Sequence, residues 1–251
     1  MTRKQEILAE LRALRINKDN YSITTVRADP YSAVAKLILE KVPNSEVFDG
    51  MTFKEVRAYC KQPIMTALYN SKAVPEEAFG KDTEELEAFY ACLYELFPGA
   101  MAVLDALNAR WDSKALYHEW ELPDGHLAFV PVMVKVRGNV EYEGLTLPIE
   151  FYENASSDSA TSLAPNFVHS CDSFAVRYVI ENADFTVTHI HDQFDAHPNH
   201  IGKVRALYLE AIQIVLEEGM LEKFIGPDYA LVPQDIVDYI DGFKNSSYAL
   251  C

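Results

Sequence analysis

Phe185-Thr-Val-Thr-His-Ile-His-Asp-Gln-Phe194 is the stretch on which the fold turns. β-branched residues at 186, 187, 188 and 190 run up to His191-Asp192, and an aromatic follows at 194. That pattern predicts a strand, a tight turn and a second strand. Helical periods flank it. Pro165 opens one helix that reaches about Asn182, and Ile201 to Glu218 is a second. The second sets Val204, Leu207, Tyr208, Ala211 and Val215 on one face and closes at Gly219. A short antiparallel hairpin between two helices predicts a helix-rich α+β fold with a small antiparallel sheet.

Further upstream, Leu127 to Val136 and Thr146 to Tyr152 read as strands, with Pro123-Asp124-Gly125 as a turn. The polar segment Asn154 to Leu163 reads as a loop. Pro75 to Leu107 reads as two helices broken at Pro98-Gly99, and residues 51–72 as another helix. Asp29-Pro30 fits an N-cap and first helical position, with Ala33, Val34, Leu37 and Ile38 facing inward. Nearer the start, Ile7, Leu8, Leu11 and Leu14 recur at helical spacing, and Ile23 to Val26 is a short β-branched run. The tail from residue 227 onward ends with little charge.

The chain has 251 residues, 49% hydrophobic and 24% charged, the proportions of a folded domain and not of a disordered or low-complexity chain. No apolar run reaches the ~20 residues of a membrane span, so no membrane partner is expected. The charged opening Met-Thr-Arg-Lys-Gln-Glu lacks an apolar signal core, which predicts an intracellular protein. Cys60, Cys92, Cys171 and Cys251 form no C-x-x-C pair, arguing for free thiols in a reducing compartment. Net charge is −16, unfavourable for contact with nucleic acid, but it is unevenly spread. Residues 1–72 hold 12 Lys and Arg against 8 Asp and Glu; the remainder hold 10 against 30.

Three clusters invite a chemical reading. Arg57, Lys61, Met65 and Tyr69 recur every four residues, drifting only ~40° per step around a helix, so they line one face. Two cations followed by an aromatic suit an anionic ligand with a ring or sugar at its far end, such as a nucleoside triphosphate. The plain alternative is a solvated basic face beside a core stripe. Pro63 sits inside this helix, where it removes a backbone donor.

The second cluster is His189, His191 and Asp192, with His197 and His200 close behind. A carboxylate at a hairpin turn is available to a hard cation such as Mg²⁺. A histidine-rich zinc hydrolase is the rival, although no H-E-x-x-H or H-x-H-x-D-H pattern supports it. His197 and His200 read as loop residues beside Pro198. The third cluster, His169-Ser170-Cys171-Asp172, is no catalytic triad, because one helix cannot bring such neighbours into a relay.

Together these segments resemble the single-subunit RNA polymerases of bacteriophages and mitochondria. Arg57-x3-Lys61-x3-Met65-x3-Tyr69-Asn70 is similar to the family's motif B, R-x3-K-x3-M-x3-Y-G, with Asn70 replacing Gly. Pro165-Asn-Phe-Val-His169-Ser-x-Asp172 is similar to its P-N-F-V-H-S-x-D helix. His191-Asp192-Gln193-Phe194 is similar to motif C, H-D-S-F, with Gln193 replacing Ser. Trp120-Glu-Leu-Pro123-Asp-Gly125 is similar to its W-x-x-P-x-G step, and Ser246-Ser-Tyr248-Ala-Leu-Cys251 to its C-terminal foot.

The resemblance implies the C-terminal portion of a right-hand polymerase. Residues 1–50 would follow motif A, 51–115 would form fingers with the motif B helix, 116–163 a strand-rich insertion, and 164–251 the palm with motif C and the foot. It implies that Asp192 binds two Mg²⁺ ions, with His191 supporting the site. Arg57 and Lys61 would hold the triphosphate, Lys61 protonating the leaving pyrophosphate. Tyr69, beside Met65, would discriminate ribose from deoxyribose, and His169 would sense the 2′-hydroxyl or the hybrid's minor groove. Tyr248 and Cys251 would belong to the foot.

The family's motif A aspartate, in D-G-x-x-S-G-x-Q, does not occur in these residues. Two-metal transfer needs a second carboxylate. The expectation is therefore one subunit of a split, heterodimeric DNA-directed RNA polymerase, whose partner carries motif A. DNA template, RNA transcript and ribonucleoside triphosphates would be its other partners, together with a promoter-recruiting factor. The location would be the cytoplasm, that of the infected bacterial host for a phage enzyme. A catalytically inactive polymerase-like scaffold is the remaining alternative.

Overall fold

The computed structural model describes residues 29–157, 160–191, 193–230 and 233–245. The predicted helix at residues 4–14, the run at 23–26, Asp192, Tyr248 and Cys251 lie outside them. The chain divides into two compact units between Ala106 and Leu107.

The first unit is helical. Helix α1 (Pro30–Lys41) starts where expected: the Asp29 carboxylate accepts from the backbone N–H of Tyr31 (3.1 Å) and Ser32 (3.4 Å) and from the Ser32 hydroxyl (2.8 Å). Its buried stripe is Val34, Ala35 and Ile38, whereas Ala33 is exposed and Leu37 half-buried. Ala33 lies ~140° around the helix from Ile38, too far to share its stripe.

Helix α2 (Phe53–Leu68) is shorter than the sequence predicts. It opens on a capping box, in which Thr52 N–H donates to Glu55 (2.7 Å) and the Thr52 hydroxyl accepts from Glu55 N–H (3.4 Å). It runs through buried Pro63 without interruption. It ends in a Schellman arrangement, with Ser71 N–H on the Thr66 carbonyl and Asn70 N–H on that of Ala67, both at 2.9 Å. Asn70, 7% exposed, stands in the left-handed region at φ 65°.

Where two helices are expected there are three, α3 (Ala73–Phe79), α4 (Glu84–Leu96) and α5 (Pro98–Ala109). Gly80 at φ 89° stops α3, and a Cβ there would stand 2.8 Å from Thr83 Cγ2. Thr83 in turn caps α4. At Pro98 the chain turns by 108° into α5. Phe48, Tyr59, Phe79 and Phe89 form the aromatic part of the core, with ring centroids 4.8–6.2 Å apart.

Among the described residues, the second unit mixes helices with three separate two-stranded antiparallel ribbons, in place of the one small sheet expected. Strands β1 (Tyr117–Glu121) and β2 (Leu127–Pro131) flank the predicted turn. Strand β1 is implied by that turn, although its charge-rich Tyr-His-Glu-Trp-Glu gives the sequence reading no range for it. The expected strand over 127–136 is broken at Val132, which is buried and donates its N–H to the Leu116 carbonyl (2.9 Å). Beyond it β3 (Met133–Tyr142) pairs with β4 (Leu145–Asn154) as a long hairpin.

Helix α6 (Leu163–Asn182) begins two residues before Pro165, whose missing N–H falls in the first turn where no partner is needed. Strands β5 (Val187–Ile190) and β6 (Gln193–Ala196) confirm the predicted hairpin. Helix α7 (Ile201–Glu217) is closed by Gly219 at φ 63°, as expected, and buries Val204, Leu209 and Ala211. Leu209 was outside the predicted face; Leu207, Tyr208 and Val215 are only half-buried. Two further helices, α8 (Met220–Ile225) and α9 (Pro233–Asn245), lie in the C-terminal stretch, and α9 buries Ile236 and Ile240. Among the described residues, no single helix is long and apolar enough to cross a membrane.

Candidate functional site

Helix α2 divides cleanly. Val56, Cys60, Pro63, Ile64 and Ala67 face the core. On the other side Arg57 is half-buried while Lys61, Met65 and Tyr69 are exposed. Tyr69 is the residue at which the helix ends. The predicted face therefore exists, half-buried at Arg57 and open to solvent from Lys61 onward.

Its two cations are organised by the first turn of α1. Arg57 Nε donates to Asp29 Oδ2 at 2.6 Å. Arg57 and Lys61 both stand over the Tyr31 ring, 5.6 and 5.7 Å from its centroid. The guanidinium, together with the Ser32 hydrogen bonds and against some desolvation, holds the Asp29 carboxyl at about 2. Asp29 was legible as a helix cap. Its second role was not, because 28 residues separate it from Arg57.

In the second unit, Trp120 and the Pro165–Asp172 segment meet. Trp120 Nε1 donates to Ser170 Oγ (2.8 Å), which donates to the Phe167 carbonyl (2.7 Å). The rings of Trp120, Phe167 and Phe224 pack with centroids 5.0–5.6 Å apart. Ser170 is thus a structural hydroxyl, in keeping with the rejection of a triad. His169 and Asn166 line a cleft of about 310 Å³ with Trp120, His126 and Phe129. Across the neighbouring turn, Arg177 Nε donates to Asp124 (2.7 Å), tying the β1–β2 turn to α6.

The β5–β6 hairpin seats on α7 through Phe194, whose ring meets Tyr208 edge-on at 5.9 Å. Ile190 pairs with Gln193 at the end of the ribbon. His191 is exposed and left-handed at φ 56°. Positive φ is uncommon outside glycine, and histidine is one of the side chains that adopts it more readily. Gln193, where the resemblance expects Ser, donates its amide to Asp195 (3.1 Å).

The match that bears on identity falls here. Residues 135–224 match the family model described as DNA-dependent RNA polymerase. No curated protein matches the chain. The matched residues include α6 with His169, the hairpin with His191, and α7. They do not include Arg57, Lys61, Met65 and Tyr69, whose roles rest on the motif B resemblance.

The remaining histidines have local tasks. His197 Nδ1 accepts the Asn199 N–H (3.3 Å), and His200 stacks on Phe185 with centroids 4.5 Å apart. His189 lies 6.5 Å from the Phe194 ring. Among the described residues, no three His, Cys, Asp or Glu side chains gather to hold a metal ion.

Proposed function

We propose that this chain is a catalytic subunit of a DNA-dependent RNA polymerase, adding ribonucleotides to an RNA 3′ end on a DNA template. The observation that carries the reading is the family match over residues 135–224, which spans the His191–Asp192 hairpin. The shared face of Arg57, Lys61, Met65 and Tyr69 supports it from residues beyond the match.

In this reading Arg57 and Lys61 take the phosphates of the incoming nucleotide. Asp29 and Tyr31 limit the rotamers open to the two cations before substrate arrives, reducing the entropy lost on binding. Lys61 then donates a proton toward the departing pyrophosphate. Tyr69 and Met65 border the sugar, and His169 reads the 2′-hydroxyl side.

Asp192 offers hard carboxylate oxygens of the kind Mg²⁺ takes, and His191 flanks it. Mg²⁺ held there would supply neutralisation of the negative charge that develops during nucleotidyl transfer. A single carboxylate suits one part of a two-ion site. The second carboxylate comes from outside these residues, on our reading from a partner chain. Template DNA and transcript RNA approach the least acidic part of the chain, residues 1–72, which eases the objection raised by the net charge.

Primer extension on a DNA template with ribonucleotides and Mg²⁺, using the chain with its co-purifying subunit, tests the reading. Asp192→Asn should abolish extension, by about a thousandfold or more, with folding intact. Unchanged extension in that variant would overturn it. No extension by the wild-type complex would instead favour a scaffold.

A further inference from the structure

Arg57 is held from two sides. Its Nε donates to Asp29 Oδ2 at 2.6 Å, and its guanidinium carbon stands over the Tyr31 ring, 5.6 Å from the centroid. Asp29 does not depend on Arg57 for its own place. Its Oδ1 accepts the N–H of Tyr31 and that of Ser32, and its Oδ2 also accepts the Ser32 hydroxyl. The helices that carry the pair share one core, α1 through Val34, Ala35 and Ile38 and α2 through Val56, Cys60 and Ile64. The carboxylate is therefore a fixed point against which the guanidinium is set.

A guanidinium has five N–H donors in a rigid planar fork, one on Nε and four on the two Nη nitrogens. Asp29 takes the first. Among the described residues, no acceptor takes the other four. Lys61, one turn further along α2, stands over the same ring at 5.7 Å and has no carboxylate partner among the described residues.

We propose that Asp29 is a positioning residue for nucleotide binding, turning Arg57 end-on so that the polyphosphate of a ribonucleoside triphosphate meets the paired Nη edge. This rests on the polymerase reading and adds to it which donors face the ligand. It also makes position 57 specific for arginine. A lysine there has a single nitrogen, which Asp29 draws to itself and neutralises. Arginine keeps Nε on the protein and still offers two parallel donors to the phosphate oxygens.

The test is a double-substitution cycle on the chain with its co-purifying subunit, bound to primer and template. Calorimetry in Mg²⁺ reads the Kd of an α,β-methylene ribonucleoside triphosphate, which binds without reacting. The four proteins are wild type, Arg57→Lys, Asp29→Asn and the double variant. Asn caps a helix as well as Asp does, so the fold is kept while the charge is removed. Removing that charge favours phosphate binding by either cation, and this common effect cancels in the ratio of lysine to arginine. With Asp29 present, Arg57→Lys should weaken binding at least about tenfold. In the Asp29→Asn background the same change should cost about twofold or less.

An equal or larger loss in the Asp29→Asn background would overturn the positioning, because a purely structural Asp29 leaves the ratio unchanged. Primer extension is scored separately in the same samples. Extension with equal losses removes the positioning alone. Binding that follows the cycle without any extension removes the polymerase reading alone, and no binding by wild type removes both.

Discussion

Asp29 does two things with one carboxylate. It caps α1 through two backbone N–H groups and accepts the Arg57 guanidinium. Both favour the ionised form, so its folded pKa of about 2 lies below the ordinary 3.8. A carboxyl depressed on folding stabilises above its unfolded value and loses that contribution as pH falls through the folded one. The stability gap between wild type and Asp29→Asn should therefore be constant above about pH 4. It should close between about pH 4 and 2, as read by urea unfolding at each pH. A gap unchanged down to pH 2 would remove Arg57 as the cause. The cap was readable from Asp-Pro in sequence; the ion pair was not, because no local pattern links residue 29 to residue 57.

Helix α2 shows what an element adds. Its exposed face followed from the spacing of Arg57, Lys61, Met65 and Tyr69, since a 3.6-residue period leaves little choice. Its end did not. The departure of Asn70 from the expected Gly gains a physical reason from the left-handed φ of 65° at the residue after the cap. Asn is the side chain that tolerates this conformation best after Gly. Asn70→Ala should cost about 1–2 kcal/mol in urea unfolding, and Asn70→Gly less. Equal losses would mean that the buried amide, not the backbone, decides the position. The break at Gly80 was missed for a related reason. A helical period survives on both sides of it, and only positive φ reveals the stop.

At the scale of the whole molecule, the first unit is a helical core that seals two thiols. Burial pushes Cys60 up to about 12 and Cys92 up to about 11. At pH 8 that leaves about one thiolate in ten thousand and one in a thousand, so neither should react with a disulfide reagent until the unit opens. Phe89→Ala removes a fully buried ring at a cost of about 3–5 kcal/mol. Labelling of both thiols should then accelerate by two powers of ten or more in mass-resolved kinetics. Rates unchanged by the substitution would mean that local opening, not that of the unit, admits the reagent.

The α+β class, the β5–β6 hairpin, α1 with its cap and the open face of α2 were determined by sequence alone. Each depends on periodicity or capping within a few residues, which the chain encodes locally. The tertiary structure decided the rest: Asp29 and Tyr31 gathered beneath two cations, Trp120 hydrogen-bonded to Ser170, and three ribbons in place of one sheet. Those arrangements come from which surfaces pack together over long separations. Helical or strand spacing specifies a face and not the neighbour that covers it.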